Sequence, residues 1–383
     1  MKLITEHIEW LSDSNNYSKY TNHGFDQSMI LLTISIMFNI DELELPRLVS
    51  RQRLEEEIKF AFTDEGVHKE NSPGYQKFML GRLKQLRLLN SLGEQLVSQL
   101  AESYIEKAEK FLIAITLPSG YLPMIGDTRG EEEGLVTNED NRLEYVTYDY
   151  SKSGYFIVKG KNTKLGSFYL LLKNCHDSNY HRHDDDLMLY LWCNGEVILG
   201  DGGLYSHDEK LKVRKFLRSH LAHSVPFNGN KIERDRDKLI ESPKMSFDKD
   251  NGLIVGESYT NGNKISRTVN IENIEKGIFI VNDQVDNFPL YINHYFGKNA
   301  EIRIIKRNNA LINIGSVFCN MKYPSTKSVN LYKGNNKNIR ESSFLSEKYG
   351  EKMENMRILI SSSSSLSEIT FTFGDYNNFI DLI

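Results

Sequence analysis

His181-Arg182-His183-Asp184-Asp185-Asp186, with Gly200-Asp201-Gly202-Gly203 and Ala222-His223-Ser224 downstream, decides how this chain is read. Six of its 10 histidines lie between residues 176 and 223. Imidazoles and carboxylates at this density suit a divalent metal of the zinc type, acid–base chemistry, or both. The flanks supply the setting. Residues 166–173 (GSFYLLLK), 187–193 (LMLYLWC) and 196–199 (EVIL) are short apolar runs rich in aromatic and β-branched residues. Asn194-Gly195 between the last two is a hairpin signal. On a strand, residues i and i+2 point to one side. The cluster is therefore expected on a sheet, with His181 and His183 sharing a face and Asp201 brought alongside by the hairpin.

Outside this stretch the bulk properties bound the answer. A chain of 383 residues allows one large domain or two to three ordinary ones. A hydrophobic fraction of 39% and a charged fraction of 26% describe a globular protein with ample core. The net charge of −5 argues against a nucleic-acid partner, which would call for a basic face. The three cysteines, Cys175, Cys193 and Cys319, leave an odd thiol and form no zinc-type pair, which argues against a disulfide framework. Charges interrupt the N-terminus where a signal peptide needs an apolar core, and no run approaches the ~20 apolar residues of a membrane span. The sequence as it stands reads as cytoplasmic, or as periplasmic or secreted if a segment precedes it.

The two halves differ in pattern. Residues 27–39, 43–62, 74–92 and 97–115 carry apolar residues at three- and four-residue spacing, the signature of helices. Pro118, Gly120 and Pro123 break that pattern, and Gly130-Glu131-Glu132-Glu133-Gly134 reads as a solvated connection. Beyond about residue 143 short strands take over, at 155–158, 276–281, 357–360 and 368–373, with a serine-rich turn at 361–365. Helices followed by strands imply an α+β chain with segregated domains, here 1–140 and 141–383.

Five motifs in order carry a family resemblance. Asn22-His23-Gly24 opens a helix. Residues 68–75 (HKENSPGY) resemble a Glu-x-Ser-x-x-Tyr segment, and residues 120–127 (GYLPMIGD) resemble a Pro-x-Ile-Gly-Asp loop. His181-x-His183-x-Asp185 with Gly200–Gly203, then Arg218 to His223, complete the set. Together they resemble the heparinase II/III-like family of polysaccharide lyases over roughly residues 15 to 235. The resemblance implies an N-terminal partial α/α toroid followed by an antiparallel two-layer β-sandwich. It also implies β-elimination on a uronic-acid-containing polysaccharide, in which a base removes the C5 proton and an acid helps the C4–O bond leave.

That chemistry gives each matched residue an expected role. The sugar carboxylate must be neutralised before C5 becomes acidic, and electrostatic stabilisation of this kind usually dominates. Asn22 and His23 resemble the neutralising pair. Tyr75 resembles the proton-carrying tyrosine; a free phenol titrates near pH 10, so working near neutrality takes about 4 kcal/mol of differential stabilisation. His181 resembles the catalytic histidine, as base or as partner of the leaving group. His183, Asp201 and His223 resemble the ligands of a structural zinc, with Asp185 as an acceptor behind them that fixes an imidazole tautomer. Arg214 and Arg218 have forks suited to carboxylates or sulfates, or to structural ion pairs.

Plainer readings stand beside these. Asn22 is also a good helix N-cap, Tyr75 is one of 20 tyrosines, and Asp184 and Asp186 read as a solvated turn. His176, His207 and His220 read as surface or supporting residues. Three function classes follow: a zinc-containing lyase, a non-catalytic glycan-binding or polysaccharide-assembly protein derived from a truncated lyase, and an unrelated zinc hydrolase. The expected partner is an acidic polysaccharide or oligosaccharide (heparan-like, alginate, hyaluronan or capsular), with no nucleic acid and no membrane span. A homo-oligomer, or a partner completing the toroid, is also compatible with the short helical half.

Overall fold

The computed structural model describes residues 2–38, 40–136, 145–174, 181–229, 244–260, 263–305, 308–324, 326–375 and 377–379. The chain forms two compact units. One comprises residues 1–70 and 75–113, and the other residues 71–74 and 114–383. The boundary expected at 140/141 and His176 both lie outside the described residues.

The first unit is helical: α1 (Lys2–Ser12), α2 (Asn22–Phe38), α3 (Glu44–Ala61), α4 (Pro73–Leu88) and α5 (Leu96–Ile115), the last reaching into the second unit. The periodic segments all became helices; α1 was not singled out, although Leu3, Ile4, Ile8 and Leu11 stand at helical spacing. At the start of α2, Thr21 Oγ1 accepts from Gly24 N at 3.1 Å, so the threonine caps the helix. Asn22 is therefore not needed as the cap. The glycine of Asn-His-Gly has a steric reason, since a Cβ there would sit 2.1 Å from the Ser18 carbonyl oxygen. Among the described residues no helix is long and apolar enough to cross a membrane.

The second unit is an antiparallel β-sandwich. Its first sheet runs in sequence order through β1 (Tyr145–Tyr150), β2 (Tyr155–Asn162), β3 (Gly166–Lys173), β4 (Met188–Cys193) and β5 (Glu196–Leu199). Asn194 and Gly195 both adopt positive φ, 47° and 95°, and close the β4–β5 hairpin as expected from Asn-Gly. An eight-stranded sheet is ordered Glu301–Ile305, Asn309–Ile314, Val317–Lys322, Leu366–Phe373, Ile278–Val285, Asn263–Asn270, Leu253–Thr260, Lys244–Asp248. A four-stranded sheet contains Thr326–Lys333, Met356–Ser362, Tyr291–Tyr295 and Pro226–Phe227. Alternating residues of the sheets meet in one core: Phe156 and Val158, Leu170 and Leu172, Leu189 and Leu191, against Ile254, Val269, Val281, Ile312, Ile360 and Phe371.

Buried polar anchors tie loops to this core. Arg267, fully buried, pairs with Asp283 at 2.7 and 2.9 Å and donates to the carbonyls of Leu187 and Ser224 at 2.9 and 2.7 Å. Those two carbonyls flank the histidine-bearing segments. Arg267→Met is expected to lower unfolding stability by about 3–5 kcal/mol, because it leaves Asp283 buried and unpaired. Urea unfolding checks this; a loss below about 1 kcal/mol would mean the pair anchors nothing.

Candidate functional site

His181 and His183 do not lie on a strand. They occupy the connection between β3 and β4, where His181 adopts a left-handed φ of 49°. Alternation therefore cannot place their side chains, and buried polar contacts do so instead. Asp184 N donates to the Arg218 carbonyl at 2.8 Å, and the Arg218 guanidinium donates to the Arg182 carbonyl at 3.1 and 2.6 Å. This clamps the connection to α6 (Lys212–Arg218), a short helix the periodicity reading missed. The acidic run is not a solvated turn: Asp184, Asp185 and Asp186 are all buried. Lys173 Nζ donates to Asp185 at 2.7 Å, and Ser258 Oγ donates to Asp186 at 2.9 Å. With Arg182 Nη2 also 3.3 Å from Asp186 Oδ2, the segment carries its own counter-charges, which composition alone does not reveal.

His183, Asp201 and His223 meet. Asp201 follows β5 and bridges to His223 in antiparallel fashion, with Gly202 N donating to the Ala222 carbonyl at 2.9 Å. One donor atom from each of the three lies within 4.8 Å of the others, and all three residues are buried. Asp201 Oδ1 accepts from Gly203 N at 2.8 Å and Oδ2 from Gly126 N at 3.0 Å; Oδ2 also lies 3.1 Å from His223 Nδ1. His183 Nδ1 and both ring nitrogens of His223 are buried without a hydrogen-bond partner. Leaving such atoms unpaired costs about 1–3 kcal/mol each, so the arrangement fits a shared ion. Two imidazoles and a carboxylate at this spacing suit a tetrahedral zinc with bonds of about 2.0–2.2 Å. Full burial pushes the His183 imidazole down to about 4, keeping it neutral as a ligand must be. Burial also opposes charge on His223, but Asp201 outweighs it and raises that group.

Asp127 joins this group to His181. Its Oδ1 accepts from His183 Nε2 at 2.9 Å and its Oδ2 from His181 Nδ1 at 2.6 Å. Arg214 grips both oxygens, Nη1 to Oδ1 at 2.5 Å and Nη2 to Oδ2 at 2.9 Å. Burial alone would raise the Asp127 carboxyl, yet His181, His183 and Arg214 hold it well below the usual carboxylate range. It is therefore an anion at neutral pH. An anion on Nδ1 makes that nitrogen the donor and so sets Nε2 as the acceptor nitrogen of the neutral ring. His181 is about one-quarter exposed at its side chain.

The remaining expected residues fall as follows. Arg214 binds Asp127 and, at 3.0 Å, Glu209; Arg218 pairs with Glu209 at 2.7 Å. Both forks thus hold protein carboxylates. In the helical unit, Asn22 and His23 form the first turn of α2, half-buried and exposed respectively. Tyr75 stands in the first turn of α4, half-buried and edge-on to Phe78 with ring centroids 6.4 Å apart. Two residues acquire a place that sequence reasoning did not give them. Asp127 stood in a matched loop without a role, and its Gly126-Asp127 step was the available signal. His207 lies with Nδ1 3.7 Å from Asp127 Oδ2 and its ring 5.8 Å from that of His181. His220 packs its ring on Phe227 at 3.9 Å.

Comparison with known proteins adds the following. The family model described as Heparinase II/III N-terminus matches residues 1–151. No curated protein matches the chain. Among solved structures, a heparinase III gene product with methylated lysines is similar at TM-score 0.74 and 17% identity, covering 98% of this chain and 62% of its own. A heparan sulfate lyase HepC from Pedobacter heparinus is similar at TM-score 0.71 and 16% identity, with 97% and 62% covered. A further heparinase III gives TM-score 0.72 at 16% identity, with 98% and 64% covered. The chain thus spans a little over three-fifths of the length of these relatives. Residues 1–151 thus match the Heparinase II/III N-terminus model, and the fold of helices followed by a β-sandwich is similar to that of these heparinases.

Proposed function

We propose that this protein is a polysaccharide lyase that cleaves a uronic-acid-containing glycan by β-elimination. The observation that carries the reading is the His181–Asp127 pair: a partly exposed imidazole whose Nδ1 is held by a buried anion, which sets Nε2 as the nitrogen that would take the proton. The C5–H bond breaks as a base takes the proton. The electron pair forms the C4–C5 double bond, and the C4–O pair leaves on oxygen, which takes up a proton. In this reading His181 acts at one of those two proton transfers, and the imidazolium it forms when protonated is stabilised by Asp127. Tyr75 carries the other proton, and Asn22 with His23 neutralises the sugar carboxylate. His183, Asp201 and His223 would hold a zinc ion, whose contribution is to fix the connection that carries His181 rather than to act on substrate.

Tyr75→Phe and His181→Ala are expected each to cut turnover by at least about 100-fold, the usual worth of a proton-transfer group. Tyr75→Phe removes one hydroxyl, so the apparent affinity for substrate should change little. The readout is the near-ultraviolet absorbance of the unsaturated product on whichever uronate polymer the parent cleaves. Parent-like rates in both variants would remove these residues from the mechanism.

A further inference from the structure

A strip of rings leads outward from His181, all within the sandwich unit. The His181 and His207 centroids are 5.8 Å apart, and the His207 and Tyr349 centroids are again 5.8 Å apart. Side-chain exposure rises along the first step, from 26% at His181 to 44% at His207, and Tyr349 is 50% exposed. The Arg129 guanidinium stands 5.9 Å from the Tyr349 ring centroid and is exposed. The Tyr349 hydroxyl is fixed, 3.3 Å from Ser206 Oγ and accepting from His207 N at 3.3 Å. So the ring is held in place although it faces solvent.

Charge distinguishes Arg129 from its neighbours. Arg214 and Arg218 are spent on Asp127 and Glu209, and Lys298 pairs with Glu347 at 2.9 Å. Arg129 makes no ion pair among the described residues. Hydrogen bonds from Ser206 and the His207 amide, with the charges of Arg129 and Arg214, lower the Tyr349 phenol. Arg129 thus sets a positive charge beside the Tyr349 ring that no carboxylate among the described residues pairs. An exposed, pre-positioned aromatic ring beside an uncommitted guanidinium offers an apolar face for a sugar ring and a fork for an oxyanion.

We propose that Arg129, Tyr349 and His207 form a binding subsite for an anionic sugar, adjoining the sugar that His181 acts on. The substrate class is a chain in which the residue next to the cleaved one also bears a carboxylate or sulfate. The proposal rests on the lyase reading for its position relative to the reaction, but not for binding itself.

The test uses the full chain and a series of hexuronate tetrasaccharides: glucuronate–N-acetylglucosamine, mannuronate, and a sulfated heparin-type sugar. Calorimetric binding is measured for the parent, Arg129→Ala, Arg129→Lys, Tyr349→Ala and Tyr349→Phe. The parent should bind at least one probe. Arg129→Ala should weaken that binding about tenfold or more, as expected for loss of a charged hydrogen bond. The lysine variant should recover part of it, and a carboxyl- and sulfate-free analogue should not distinguish the parent from Arg129→Ala. Tyr349→Ala should lose affinity while Tyr349→Phe, which keeps the ring, retains it. On a cleaved polymer, Arg129→Ala should raise KM with kcat within about twofold of the parent. Binding by Arg129→Ala equal to the parent, or no binding of any probe by the parent, overturns the subsite. Binding that depends on Arg129 without unsaturated product from any polymer would instead overturn the lyase reading and leave the subsite standing.

Discussion

Asp127→Asn is expected to lower turnover by about 1,000- to 10,000-fold on any polymer the parent cleaves. The scale is that of losing the aspartate that orients a catalytic histidine. The carboxylate accepts from His181, from His183 and twice from Arg214, all while buried. An amide of the same shape offers one acceptor oxygen and brings two donors, so at least one imidazole or the guanidinium faces N–H against N–H. His181 would then lose its fixed tautomer. Because Asp127 titrates below its unfolded value, its contribution to stability is complete above about pH 4 and fades only as pH falls through the folded value. The loss of turnover at neutral pH therefore reports geometry and tautomer rather than a change of protonation. Steady-state rates per folded, metal-loaded chain measure it. A rate within tenfold of the parent would mean that Asp127 holds structure alone.

The second large effect concerns metal. The purified parent should contain about one zinc per chain, and His223→Ala should contain little. An ion present at about 1,000 times its dissociation constant stabilises the folded state by about 4 kcal/mol. For a unit of this size that corresponds to roughly 10 °C in Tm. Adding a chelator to the parent should reproduce the drop, and adding it to His223→Ala should do little more. Acid should have the same sense. His183 is held neutral with its value pushed down to about 4, so as pH falls below about 6.5 the unfolded chain takes up a proton that the folded one refuses, and stability declines. Elemental analysis that finds no metal, with the ligands intact and no chelator used, contradicts the assignment of these residues.

Much of this was legible in the sequence, and the omissions have physical causes. The periodic segments became α2 to α5, and Asn194-Gly195 closed its hairpin, because both signals are local. The grouping of His183, Asp201 and His223 followed the motif order, although the geometry behind it did not. The two histidines sit in an irregular connection whose shape is set by Arg218 and Arg267, remote in sequence, and by Lys173 at the end of β3. Asp127 was invisible as a hub because its partners come from positions 181, 183 and 214, and a single chain read along its length shows no such convergence. The buried state of Asp184 to Asp186 escaped for the same reason: a run of acids reads as solvated until its counter-charges are located. Tyr349 and Arg129 carried no motif, and only folding places them beside His207.

Elimination and hydrolysis leave different ends, and one digest separates them. The parent, zinc-loaded, is incubated with a panel of uronate polymers covering heparan-like, alginate, hyaluronan and capsular types. New reducing ends and near-ultraviolet absorbance are followed in the same samples. Elimination leaves a C4–C5 double bond conjugated with the carboxylate at every cut, so the two signals should rise together in a fixed ratio on at least one polymer. Reducing ends that accumulate without absorbance would establish hydrolysis instead, and the absence of both signals on every polymer would rule out a lyase acting on these chains.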